Sequence, residues 1–274
     1  MERARPASLL HTGLDRYEVF DFQGDELGKL KTFINKKNHP ISFHVPFFRP
    51  VYFPYLGVTT FFLNDNPQKR DLSFKLIGST MHYAKGWKAD FVVTHLNWME
   101  DSKNKQKVIK LANDAKSRFC QLTERYKLPI NVEFGGYSGF FHEPNQYVEF
   151  VADHHLLGIC IDIGHTFLIS KVRNRSFFKD IEIMAPYTKS IHVWNTKDMD
   201  HCKKYNHVPV HPSQKTGDGW IDIKKTLEII LSGNKDCGIV FEYNHTYYDK
   251  IPIKVKEGME WVRDIVNRKY KPTT

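Results

Sequence analysis

The 274-residue sequence predicts an α/β fold, a single (β/α)8 barrel over residues 1–274, on three observations. Short apolar runs alternate with segments of helical spacing along the whole chain. No linker or shift of composition divides it, and the length suits one barrel domain. Six of the apolar runs end in a residue able to hold a metal: His44, His95, Glu133, Asp162, His192 and Glu242. TIM barrel enzymes build their sites at the C-terminal ends of the strands, where these residues fall.

Residues 7–14 read as a weak first strand, interrupted by His11 and Gly13, and residues 17–22 as a clearer one. Residues 25–37 have helical spacing through Leu27, Leu30 and Phe33. Residues 40–45 are an apolar strand carrying His44. Residues 47–63 are rich in aromatics and prolines, with Arg49 among them, and read as a long loop. Long ordered loops usually carry function. Because this one follows the His44 strand, it is expected as a wall or lid whose aromatics exclude water and stack on a substrate. Residues 71–85 are helical, and residues 90–96 form a strand containing His95. Residues 101–126 read as a long basic helix, with Val108, Leu111, Ala112, Ala115 and Phe119 on one side and lysines on a solvated face. Residues 128–134 are a strand with Glu133 near its end. Gly135, Gly136 and Gly139 open a loop, and residues 143–152 are a helix.

In Gly-Ile-Cys-Ile-Asp162-Ile-Gly-His165-Thr-Phe-Leu, a short strand ends in a carboxylate and an imidazole follows across a glycine that reads as a turn signal. Such a pair at a strand mouth suits one divalent cation; the plain alternative is a turn aspartate and a helix-capping histidine. Residues 177–184 are helical, 189–194 a strand with His192, 222–231 a helix, 238–243 a strand with Glu242, and 253–266 the closing helix. Residues two apart on a strand share a face. His44 thus faces with Ser42, Glu133 with Asn131, His192 with Ser190, and Glu242 with Val240.

A formal charge of +9 favours phosphate-bearing partners, either phosphorylated metabolites or nucleic acid. Lysines spread over several segments also fit a simple solvated surface. Four cysteines without a C-x-x-C pair are neither a disulfide framework nor a thiolate zinc site, and point to a reducing, cytoplasmic setting. No stretch suits a signal peptide or reaches membrane-spanning length, so no membrane partner is expected.

The segments Ile-Ser-Phe-His44, Val-Val-Thr-His95, Asn-Val-Glu133, Ile-Asp162-Ile-Gly-His165, Ser-Ile-His192-Val and Val-Phe-Glu242 together carry a resemblance. So does His207-Val-Pro-Val-His211, followed by Gly217-Asp-Gly-Trp-Ile-Asp222. In this order and spacing the chain resembles the xylose isomerase-like superfamily over nearly its whole length. That superfamily holds sugar and sugar-phosphate isomerases and epimerases, and the endonuclease IV-type repair enzymes (AP endonuclease family 2). The epimerase branch implies one divalent ion, Zn, Mn, Co or Mg, held by Glu133, Asp162, His192 and Glu242. It also implies that Glu133 and Glu242 exchange a proton with the substrate carbon as base and acid, and that His165 contacts a sugar hydroxyl.

The repair branch implies a three-metal cluster in which His44, His95, His165 and His211 join those four, and a metal-activated hydroxide attacks abasic DNA. Two departures count against the third metal. Pro209 stands two before His211 where the repair enzymes carry Asp, and Glu133 continues into Phe-Gly-Gly without the expected Asn. An isomerase or epimerase of a small sugar or sugar phosphate is therefore the expectation, with nucleic acid a partner only under the repair alternative. A barrel that binds without turnover is a third class, and the intact carboxylate and histidine set argues against it. The plain alternative for His44 and His95 is a core histidine bonded to backbone. Arg49 and Lys215 are candidate phosphate ligands. Trp98, Trp194 and Trp220 either stack on a sugar ring or base or cover the core. His207 is expected to be structural rather than His211.

Overall fold

The structure is a computed structural model that describes residues 14–22, 24–56, 58–98, 101–136, 138–244 and 252–270. The chain forms two compact units, Met1–Ile159 and Cys160–Thr274. Seven strands lie among the described residues. Residues 7–13 of the weak first strand lie outside them, and Leu14 has no regular structure.

The first unit alternates strand and helix: β1 (Tyr17–Val19), α1 (Leu27–Lys37), β2 (Ile41–His44), α2 (Pro67–Gly86), β3 (Phe91–His95), α3 (Lys105–Tyr126), β4 (Ile130–Glu133) and α4 (Pro144–Val151). Its four strands pair in parallel in chain order. Every residue of β2, β3 and β4 is buried, as strands covered on both faces must be. The register puts His95 beside Glu133 and His44 beside Val93, so the three candidate ligands end three neighbouring strands. β1 is shorter than expected because Asp21 takes a left-handed φ of 42° and breaks the extended run.

Two helices in this unit start away from the expected positions, each because of a cap. The Asn66 side chain accepts from the N–H groups of Gln68 and Lys69 with Pro67 in the first turn, so α2 begins four residues before the expected residue 71. Asn104 accepts from Lys107 N–H and starts α3. Asp101, expected inside that helix, instead accepts from Ser138 Oγ and from the Gly139 N–H at 2.8 Å.

Residues 47–63 form a loop, tied by isolated bridges between Phe22 and Phe48 and between Phe61 and Asn97. Their aromatics differ from the expected substrate-facing wall. Phe47 stacks on Phe43 at 4.6 Å and lies against Tyr83 of α2, while Phe62 sits edge-on to Phe74 and Phe119. Phe47, Phe53, Phe61 and Phe62 are buried, Phe48, Tyr52 and Tyr55 are half-buried, and the tip, with Val51 and Leu56, is exposed. Burying such rings beneath α2 and α3 removes more apolar area from water than leaving them at a mouth.

β5 (Leu157–Asp162) starts in the first unit, where Ile130 N–H donates to Leu156 O beside it. The second unit continues with α5 (Ile163–Val172), α6 (Phe177–Met184), β6 (Thr188–Val193), α7 (Met199–Tyr205), α8 (Ile223–Gly233), β7 (Gly238–Phe241) and α9 (Pro252–Tyr270). β6 and β7 pair in parallel with His192 beside Val240, and Glu242 follows with its N–H on Val193 O. α5 was not expected. Asp162 caps it by accepting from His165 N–H, so Gly164 lies inside a helix rather than in a turn. α7, a short helix capped by Asp198, was also unexpected. Gly258 in α9 is required by close approach, since a Cβ there would lie 1.8 Å from Val210 O. No described helix is long and apolar enough to cross a membrane.

Candidate metal centre

In the first unit His44, His95 and Glu133 converge, all buried, with their ligand atoms within 4.8 Å of one another. His44 Nε2 is 2.9 Å from Glu133 Oε2, and His95 Nε2 is 3.6 Å from the same oxygen. His44 Nδ1 lies 3.0 Å from Val45 O. A carbonyl oxygen only accepts, so Nδ1 carries the hydrogen in that bond. Nε2 and Oε2, two lone-pair atoms at 2.9 Å, then call for a proton or a cation between them. This is more than the plain reading of a core histidine on backbone, although His44 does make that backbone bond. Phe20 and Trp98 close the cluster, with Phe20 edge-on to His44 at 4.8 Å and Trp98 4.6 Å from His95. Trp98 is half-buried, and its ring covers the imidazole.

In the second unit Asp162, His192 and Glu242 offer ligand atoms within 4.8 Å of one another. Each comes from a strand end: Asp162 closes β5, His192 is the penultimate residue of β6, and Glu242 follows β7. His192 Nδ1 is 2.9 Å from Glu242 Oε2. His207 Nδ1 is 3.5 Å from the other Glu242 oxygen, and His165 Nε2 is 4.0 Å from Asp162 Oδ2. Burial alone would raise the Glu242 carboxyl, but His192, His207 and His165 overrule it and hold it well below the ordinary value of 4.5. Glu242 is therefore a carboxylate near neutral pH, the form a ligand or a base needs. Two carboxylates and an imidazole are donors that suit hard-to-borderline divalent ions.

His207, expected to be structural, is brought to this group while His211 is not. It stacks flat on Trp194, centroids 3.9 Å apart, and meets His165 edge-on at 5.2 Å. Backbone pairing holds it there, with Asn195 N–H on Val208 O and Asn244 N–H on His207 O. Trp194 is fully buried, and its indole N–H donates to both Asp162 oxygens, at 2.9 and 2.8 Å. Trp194, a candidate from the sequence, is two residues past His192, and alternation puts it on the same face.

The remaining candidates lie apart from these groups. His211 bonds to Ser213 Oγ at 2.7 Å and to Glu257 Oε2 at 3.0 Å. Lys215 is exposed, and its Nζ donates to Pro212 O. Arg49 pairs with Asp21, which commits its charge.

A family model for the xylose isomerase-like TIM barrel matches residues 8–265. Among solved structures, a D-tagatose 3-epimerase-like protein superposes with a TM-score of 0.70 at 18% identity, covering 94% of this chain and 92% of its own. The IOLI protein with a binding zinc atom gives 0.70 at 15% identity, covering 95% and 91%. A D-psicose 3-epimerase, solved in the presence of D-fructose, gives 0.65 at 12% identity, covering 93% and 90%. At these identities the likeness is one of fold. No curated protein matches the sequence.

Proposed function

Because the chain belongs to the xylose isomerase-like TIM barrel family, an α/β fold, we propose that it is a divalent-metal-dependent isomerase or epimerase of a small sugar or sugar phosphate. One observation carries the reading: Asp162, His192 and Glu242 bring three ligand atoms within 4.8 Å of one another at strand ends of one unit. These residues would hold a Zn, Mn, Co or Mg ion, and the resemblance adds Glu133 as a fourth ligand. Such an ion, when bound, polarises a substrate carbonyl and hydroxyl and so acidifies the neighbouring C–H. Glu242, kept as a carboxylate by its histidines, accepts a proton from carbon, and the family resemblance assigns the complementary acid role to Glu133. His165 offers its imidazole to a sugar hydroxyl. The sugar as substrate class is supported by the fold likeness to the tagatose and psicose epimerases. Arg49 and Lys215 are weak phosphate anchors, since one is paired with Asp21 and the other is a solvated lysine.

A second reading rests on the buried group of His44, His95 and Glu133, which suits a further ion and therefore phosphodiester hydrolysis. Against it stands His211, which binds Ser213 and Glu257 and joins none of the ligand groups among the described residues. The two chemistries separate in one experiment. Protein in deuterated water is incubated with a panel of ketoses and sugar phosphates, and in parallel with a duplex carrying an abasic site. Deuterium should enter a sugar at carbon while the duplex stays intact. Cleavage that disappears in His95→Ala, with no exchange on any sugar, would leave only the phosphodiesterase reading.

A further inference from the structure

The buried Trp194 is the side chain whose surroundings the proposed chemistry does not explain. Its indole is fixed on two sides. His207 stacks parallel to it, 3.9 Å between centroids and 11° between planes. On another side Gly164 leaves room for it, since a Cβ there would stand 2.3 Å from Cε2 and Cζ2 of the ring. His165, one residue on, closes edge-on at 5.2 Å. Held this way, the ring aims its single N–H at the Asp162 carboxylate, 2.9 Å from Oδ1 and 2.8 Å from Oδ2. Asp162 also accepts from His165 N–H at 2.6 Å through its capping of α5. Indole N–H is a donor only and carries no charge. It can thus orient a carboxylate at any ordinary pH without competing for the ion as a cation would.

We propose that Trp194 is a positioning residue that fixes the Asp162 carboxylate for metal binding, and that Gly164 is glycine to admit the indole. The proposal rests on the metal reading of Asp162 above. Outer-sphere donors of this kind typically change metal affinity by roughly 10- to 100-fold when removed. The same clamp explains why the segment reads Asp162-Ile-Gly-His165: the cap needs the aspartate, and the ring needs the gap.

The test is Mn2+ titration of the full chain, followed by the loss of the free-ion electron paramagnetic signal, for wild type, Trp194→Phe and Leu227→Ala. Phenylalanine keeps an aromatic ring and removes the N–H. Leu227→Ala, a core change on α8, lowers stability and removes no hydrogen bond to Asp162. Trp194→Phe, folded by circular dichroism, should bind Mn2+ roughly 10- to 100-fold more weakly, while Leu227→Ala keeps wild-type affinity. Unchanged affinity in folded Trp194→Phe overturns the proposal, and so does an equal loss in Leu227→Ala, which would mark a purely structural effect. If Trp194→Phe does not fold, the unaltered protein decides. Of its five indole N–H resonances, one should be strongly protected from exchange and should shift on addition of Zn2+, and the absence of any such shift overturns the proposal. A wild type that binds no Mn2+ at all defeats this proposal together with the metal reading, an outcome distinct from tight wild-type binding that Trp194→Phe leaves unaltered.

Discussion

Glu242 is a carboxylate on which burial and charge pull in opposite directions. Partial burial raises its pKa, and the neighbouring His192, His207 and His165 overrule that and keep the folded value below the ordinary 4.5. A depressed folded pKa stabilises the fold above the unfolded value and loses that contribution as pH falls through the folded value. In metal-free protein, the stability difference between wild type and Glu242→Gln should hold from about pH 6 to about pH 5 and shrink as pH drops below 4.5, measured by urea unfolding. A difference that stays flat down to about pH 3, below the ordinary carboxylate range, would show that the histidines do not hold the carboxylate. At this scale the sequence was informative where a residue ends a strand. Asp162, His192 and Glu242 could be named because an apolar run points to each. His207 reads as structural in the sequence, because it is placed by long-range backbone bonds, Asn244 N–H to its own carbonyl and Asn195 N–H to that of Val208, which have no periodic signature. Trp194 could be named as a stacking or core residue, but its bond to Asp162 was not foreseen, because it depends on the clearance at Gly164.

Elements were legible where the pattern was long and caps were the only uncertainty. The buried stripe of α3 is the one its spacing predicts, Val108, Leu111, Ala112, Ala115 and Phe119. α5 and α7 were missed for opposite reasons. α5 is buried on nearly every side, polar residues included, so its sequence shows no clear helical period, and α7 is only seven residues long. The loop at 47–63 was recognised as a loop, but its chemistry was misread, because aromatic content does not reveal which side a ring faces. The structure divides it into an anchored part and a tip. Phe62→Ala should therefore cost about 3–5 kcal/mol, since the ring is fully buried against Phe74 and Phe119. Val51→Ala, at a fully exposed tip, should stay within about 0.5 kcal/mol. Urea unfolding of the two variants checks both, and equal effects would contradict the division. Gly258→Ala should be among the most damaging small changes in α9, because the added methyl meets the Val210 carbonyl in backbone that cannot rotate away.

For the molecule as a whole, alternation of strand and helix led to the α/β barrel class, and the family match across residues 8–265 agrees with it. Parallel strands leave their C-terminal residues together at one edge, so a ligand at each strand end is a pattern that a single sequence can display. Which ion is bound, and which sugar, depends on atoms that no periodicity encodes. An ion that binds only the folded chain should raise its stability by about 2.7 kcal/mol at a hundredfold excess over Kd, seen as a higher unfolding midpoint with Mn2+ or Zn2+ than with chelator. The most direct test of the central claim is a count of metal. Elemental analysis of purified protein, loaded with Mn2+ or Zn2+ and freed of excess, should find tightly held divalent ion in the wild type and none in Asp162→Ala, which loses a charged ligand without a substitute. Wild-type protein that retains no ion, or an Asp162→Ala variant that retains as much as the wild type, would contradict the assignment of Asp162, His192 and Glu242 as a metal centre.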